Sequence, residues 1–146
     1  MSKSHKTLLS FILIICMVTV SLSTAKIYGN EITPRYNNVL TADATTTVAD
    51  NGTLSIKYHY SGISGTTSKA VITTYIEKQF LFFFWTKVDI GTTNNEWIQT
   101  VNNYRYTGTR TFTLPSNGTY RTTVIYEVYG SGGSSDKITC QDEVTY

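Results

Sequence analysis

The sequence predicts an all-β domain behind a short apolar leader. Three observations predict it. Tyr and Thr dominate the chain after the leader: all 11 tyrosines fall there, and Thr recurs in runs at 45–47, 66–67, 73–74, 92–93 and 122–123. Such β-branched and aromatic side chains suit a pleated, half-buried surface. Residues 53–60 alternate with a period of two, and turn signals recur about every 8 to 15 residues, with no sustained helical period between them. The strong helix formers Ala, Leu, Glu and Lys are sparse.

Each element follows in order. Residues 26–35 read as a lead-in, with Pro34 limiting strand pairing. One or two short strands fall within 36–48, and Asp50-Asn51-Gly52 is a turn. In 53–60, Leu54, Ile56, Tyr58 and Tyr60 share one face while Thr53, Ser55, Lys57 and His59 share the other. That pattern belongs to a strand with a core on one side and water on the other. A Gly/Ser/Thr loop spans 61–68. The strand at 69–78 places Ala70, Ile72, Thr74 and Ile76 inward. Residues 80–85, Phe-Leu-Phe-Phe-Phe-Trp, are apolar without alternation, and 86–90 extend a strand. A turn spans 91–96. Strands at 107–114 (Phe112 and Leu114 inward) and 120–129 follow, then a Gly/Ser hairpin loop at 130–136 and a closing strand at 137–145.

The leader is read from charge and length. Lys3 and Lys6 precede residues 8–20, an uncharged apolar run of about 13 residues, the size of a signal-peptide core and short of the ~20 that span a bilayer. Ser23-Thr24-Ala25 fits a small-x-small cleavage site. The expected organisation is a cleaved signal peptide at 1–25 and a single β-sandwich domain at 26–146, in a secreted, extracellular protein without a stable membrane span. Removing 25 of 146 residues leaves 121, enough for one core. The leader takes two of the 12 Lys+Arg and none of the 10 Asp+Glu, so the remaining domain has formal charge zero. Its cations are scattered singly, which argues against an electrostatic partner, either nucleic acid or an anionic membrane. Cys16 leaves with the leader. Cys140 then has no intramolecular partner and reads as a small core residue, sharing strand parity with Ile138 and Val144; the alternative is an intermolecular disulfide.

One motif narrows the fold class. Leu114-Pro115-Ser116-Asn117-Gly118-Thr119-Tyr120 ends one strand, turns, and opens the next on a tyrosine. It resembles the tyrosine corner of immunoglobulin and fibronectin type III domains, where the phenol bonds back to backbone a few residues upstream. The expected architecture is therefore an immunoglobulin/fibronectin type III-like sandwich of about seven antiparallel strands. No Cys–Trp–Cys pattern supports an antibody-type domain.

A wider resemblance rests on short motifs. These are Ile32-Thr33-Pro34-Arg35-Tyr36, an Asn51-Gly52-Thr53-Leu54 strand start, the strand end Ile76-Glu77-Lys78 with Trp85 beyond it, Gly118 to Arg121, and Val128-Tyr129. Together they resemble a group of small uncharacterised secreted β-sandwich proteins of Gram-positive bacteria, Clostridia and their relatives. The sequence departs at Glu77, where Gln is usual, and in the apolar run at 80–85. The resemblance implies export and a sandwich fold, and it implies no activity.

No chemistry-bearing constellation stands out, and neither an enzyme, a metal site nor a cofactor is expected. His59 is the one histidine after the leader and lies on a polar strand face. A zinc site wants three or four ligands, and no Gly-x-Ser-x-Gly elbow exists. The carboxylates Glu77, Asp89, Glu96, Glu127, Asp142 and Glu143 are scattered and read as solvated edge charges. Asn51-Gly52-Thr53 and Asn117-Gly118-Thr119 match a glycosylation acceptor and equally an ordinary turn.

The apolar run at 80–85 strains a bland reading. Six apolar residues on a β element place about half on each face. They are either a strand or bend buried on both sides, or a contact surface. The candidate interaction surface is Phe82, Phe83, Phe84, Trp85 and Trp97. A non-enzymatic interaction domain for a protein or cell-wall carbohydrate is the first expectation. A small carbohydrate-binding module using Trp85, Trp97, Tyr104 and Tyr106 is the alternative.

Overall fold

The structure is a computed structural model and describes residues 36–146. The expected signal peptide, its Cys16, and the lead-in at 26–35 lie outside the described residues.

Alternating apolar residues become strands wherever the sequence repeats with a period of two. Eight strands occur among the described residues: β1 (Val39–Val48), β2 (Thr53–Gly62), β3 (Thr67–Phe80), β4 (Phe84–Lys87), β5 (Trp97–Val101), β6 (Arg105–Thr113), β7 (Thr119–Gly130) and β8 (Asp136–Thr145). They form two antiparallel sheets in a sandwich-like arrangement. The first has the order β1-β2-β6; the second has β4-β3-β7-β8, with β5 also pairing β3. Strands β4 and β5 occupy one edge of β3 in succession. Phe80 pairs Phe84, Glu77 pairs Lys87, and Thr74 pairs Trp97. Residues 88–96 leave that edge as a loop, and the 2.6 Å Lys87–Glu96 ion pair closes its neck.

The core comes from one parity of each strand. Leu54, Ile56 and Tyr60 of β2, Ala70 and Ile76 of β3, and Tyr120, Tyr126 and Val128 of β7 are all 0% exposed. The inward faces expected for 53–60 and 69–78 are those observed. Leu114 is buried, and Phe112 packs against the core from its edge. Cys140 is a free thiol, half-buried beside Ile138 and Val144, with its Sγ 3.7 Å from the Ala42 carbonyl oxygen.

Two seams join the sheets. Along one, β1 meets β8: the Thr46 amide donates to Asp142 Oδ2 at 2.7 Å, and the Thr46 and Thr122 hydroxyls bond each other. Along the other, Trp97 of β5 packs edge-on against Phe112 of β6, ring centroids 5.9 Å apart, with the Arg110 guanidinium 4.9 Å over the indole. Between the seams, the buried Tyr126 hydroxyl crosses to the first sheet and donates to the Asp43 carbonyl at 2.7 Å. The Tyr58 hydroxyl is buried without a hydrogen bond. Burial raises its pKa, and the neighbouring Thr74 and Arg110 oppose that rise in part.

Tyr120 opens β7, and its hydroxyl donates to the Ser116 carbonyl at 2.6 Å. The bond pins the turn at 114–118 to the strand that follows it. Lys78 Nζ holds the same turn from β3, donating to Ser116 Oγ at 2.6 Å and to the Asn117 carbonyl at 2.9 Å.

At the opposite end a second polar knot forms. The buried Asp136 carboxylate accepts the Asn37, Asn38 and Val39 amides at 3.0, 2.6 and 3.1 Å. The fully buried Asn38 side chain donates to the Ser134 carbonyl and accepts the Gly132 amide. A side chain at Gly130 or Gly132 would collide with the Thr66 or Asn37 carbonyl, which is why glycine occupies both.

Candidate functional site

The apolar run at 80–85 is neither a buried strand nor a bend. It is the tip of a hairpin. Strand β3 ends at Phe80, residues 81–83 turn, and β4 begins at Phe84 opposite Phe80. β7 accompanies β3 only as far as the Lys78–Tyr120 pair. Beyond it, Gln79–Trp85 and Phe80–Phe84 stand as a free two-stranded ribbon. Phe80 is 62% exposed, Leu81 62%, Phe82 85%, Phe83 83% and Phe84 63%.

The turn backbone is unusual for these side chains. Leu81 and Phe82 have φ of 49° and 65°. Every other positive-φ position among the described residues is Gly or Asn. Those two residue types adopt the left-handed region cheaply, whereas a larger side chain costs on the order of 1–2 kcal/mol. The tip thus keeps large apolar groups where a hairpin ordinarily uses Asn or Gly. Gln79 Nε2 donates to the Phe82 carbonyl at 3.0 Å and supports the turn.

Trp85 lies at the base of the tip, paired with Gln79 and facing away from the core. The Arg121 guanidinium sits 4.3 Å over its ring and donates twice to Glu77 Oε2, at 3.0 and 2.8 Å. Lys87, beside it on the same face, lies 4.6 Å over the Tyr75 ring while it pairs with Glu96. The cations of this face are thus balanced by carboxylates or stacked on rings. Under the ribbon, a mainly apolar groove of about 430 Å³ runs past Lys78, Phe80, Thr86, Val88 and Pro115.

The five candidate residues do not form one surface. Phe82, Phe83 and Phe84 are together at the tip, joined by Phe80 and Leu81, and Trp85 stands behind them. Trp97 pairs Thr74, whose side chain is buried in the core, so its indole lies on the inner side of the sheet while Trp85 lies on the outer side. An aromatic platform using both tryptophans is therefore not built. Arg105, not a partner indole, covers the Tyr104 ring, 4.4 Å away.

His59 gains a neighbour that sequence reasoning missed. The β1–β2 register sets it opposite Asp43, and Nδ1 lies 2.9 Å from Asp43 Oδ2. Both side chains are exposed, at 45% and 65%, so this is a solvated pair. No hydroxyl or thiol among the described residues hydrogen-bonds the ring, so Asp43 is its one side-chain partner there. Among the described residues no three His, Cys, Asp or Glu side chains converge to hold a metal ion. Asn51 Oδ1 accepts the Thr53 amide at 3.0 Å, the bond of a side-chain-closed turn. No protein-family model matches the chain, and no curated protein matches it.

Proposed function

We propose that the protein is a non-enzymatic, exported interaction module that contacts its partner through the β3–β4 hairpin tip. The exposure of five successive large apolar residues at the tip carries this reading. A monomer gains nothing in folding from apolar surface left in water, and contiguous exposed patches of this size mark contact sites. The apolar leader at 8–20 and the resemblance to secreted Gram-positive proteins support export.

The scaffold is read as immunoglobulin/fibronectin type III-like. In chain order, β1, β2 and β6 take the positions of strands A, B and E, while β3, β4, β7 and β8 take C, C′, F and G. The Tyr120–Ser116 bond sits where the tyrosine corner sits, at the entry to strand F. On that scaffold the tip is the C–C′ turn.

The test compares the protein with its Phe82→Ser/Phe83→Ser variant for binding to intact Gram-positive cells and to isolated envelopes. The parent binds and the variant binds at least tenfold more weakly, with both melting at the same temperature. Equal binding by the two proteins rejects the hairpin as the contact surface.

A further inference from the structure

We propose that the β3–β4 tip is a lipid-insertion device: Phe80 to Phe84 enter the interfacial region of a bilayer and Trp85 rests at headgroup depth. The inference deepens the reading of the hairpin as contact surface, and rests on it, by naming the partner.

Shape is the first argument. The ribbon beyond the Lys78–Tyr120 pair is two strands wide, and each residue from Phe80 to Phe84 at its end is more than half exposed. Four phenylalanines of about 200 Å² each, roughly three-quarters exposed, and Leu81 put on the order of 700 Å² of side chain on this convex tip, under the ~800 Å² that one partner commits to a standard protein interface. A flat partner or a second copy reaches only one side of such a wedge. A bilayer closes around all of it without matching its shape.

Charge is the second. Residues 79–86 carry no formal charge, and Lys78 and Lys87 bracket them. A tip that crosses headgroups must leave no ion in the hydrocarbon. At the base, Arg121 is held by Glu77 and Lys87 by Glu96. Lys78 is bound by neutral oxygens, the one cation here that can favour phosphate. The base thus offers a charged protein partner little to read, while the indole of Trp85 suits the membrane–water boundary.

Backbone conformation is the third. Leu81 and Phe82 hold positive φ at a turn where Asn or Gly costs less. A turn selected only for folding has no reason to carry them. A turn selected for bulk at its apex does.

The experiment uses protein-free vesicles and a Trp97→Phe background, which leaves Trp85 as the sole tryptophan of the chain, so the signal reports the tip and no other segment. With phosphatidylcholine vesicles, Trp85 emission shifts to the blue and is quenched more by lipids brominated near the headgroup end of the acyl chain than by lipids brominated near its terminus. Phe82→Ser/Phe83→Ser lowers the partition coefficient at least tenfold, and anionic lipid raises it less than tenfold. An absent Trp85 response, or a strict requirement for anionic lipid, overturns the proposal. If the serine variant loses binding to protein-bearing envelopes while Trp85 ignores pure lipid, lipid is the wrong partner and the hairpin remains the contact surface. If the variant loses binding to neither, both readings fall.

Discussion

The second sheet carries a hairpin at each end, and the two are built on opposite principles. The β7–β8 tip, Gly130-Ser-Gly-Gly-Ser-Ser135, folds onto its own domain. Glycines let its backbone approach the Asn37 and Thr66 carbonyls, and Asp136 and Asn38 bond it to the start of β1. The β3–β4 tip has large side chains at the turn, positive φ without glycine, and no bond to another element beyond Lys78. One hairpin uses small residues to satisfy polar groups internally. The other leaves apolar groups unsatisfied by the fold. The lesson is that a turn's chemistry reports whether it closes the domain or addresses something outside it.

The largest expected effect breaks the polar end. Asp136→Ala leaves three buried or part-buried amides without their acceptor, at 3.0, 2.6 and 3.1 Å in the parent. The expected loss is about 3 kcal/mol or more, since each unsatisfied buried group costs about 1–3 kcal/mol. Urea unfolding measures it, and a loss below about 1 kcal/mol would mean that the β7–β8 knot does not hold β1. At the apolar end, Leu81→Asn/Phe82→Gly gives the turn the residues its φ values favour. Stability should rise by about 1–2 kcal/mol. A fall instead would show that the apolar tip packs on the domain in solution, and the contrast between the two ends would fail.

The smallest effect concerns the core between them and becomes pH-dependent only above about pH 10. Burial raises the pKa of Tyr58, Tyr60 and Tyr126 above the ordinary value near 10. For Tyr126, the Cys140 thiol and the Asp43 carboxylate add to that rise. A raised tyrosine pKa favours the protonated, folded form. Its contribution is complete below about pH 10 and is lost as pH climbs through the raised values. Absorbance at the phenolate band should show a late, unfolding-linked fraction in the parent, at a lower pH in the less stable Asp136→Ala and at a higher pH in Leu81→Asn/Phe82→Gly. A fraction that ionises near pH 10 without unfolding would mean that these hydroxyls reach water in the native state.

Much of the scaffold was legible because burial on one face of a strand writes itself as period two. The inward residues of β2 and β3, the Tyr120 turn and the Gly/Ser hairpin were all read from local pattern. The tip was harder. A run such as Phe-Leu-Phe-Phe-Phe-Trp lacks Gly, Asn and Pro, so nothing in it signals a turn, and its lack of alternation suits a buried strand equally well. Trp97 misled for a related reason: aromatic identity does not state which side of a sheet a residue faces. The Asp43–His59 pair was invisible because it depends on strand register, set by the turn at 49–52 and by which faces are buried.

The sequence by itself determined that this is an all-β chain with one apolar face per strand, because alternation and turn residues are local properties. The division into β1-β2-β6 and β4-β3-β7-β8, the two seams, and the separation of Trp85 from Trp97 were decided only by tertiary structure. So was the fate of the apolar run. Whether Phe82 is core or surface depends on whether another strand lies beside it, and β7 stops pairing at Lys78, two residues before β3 itself ends.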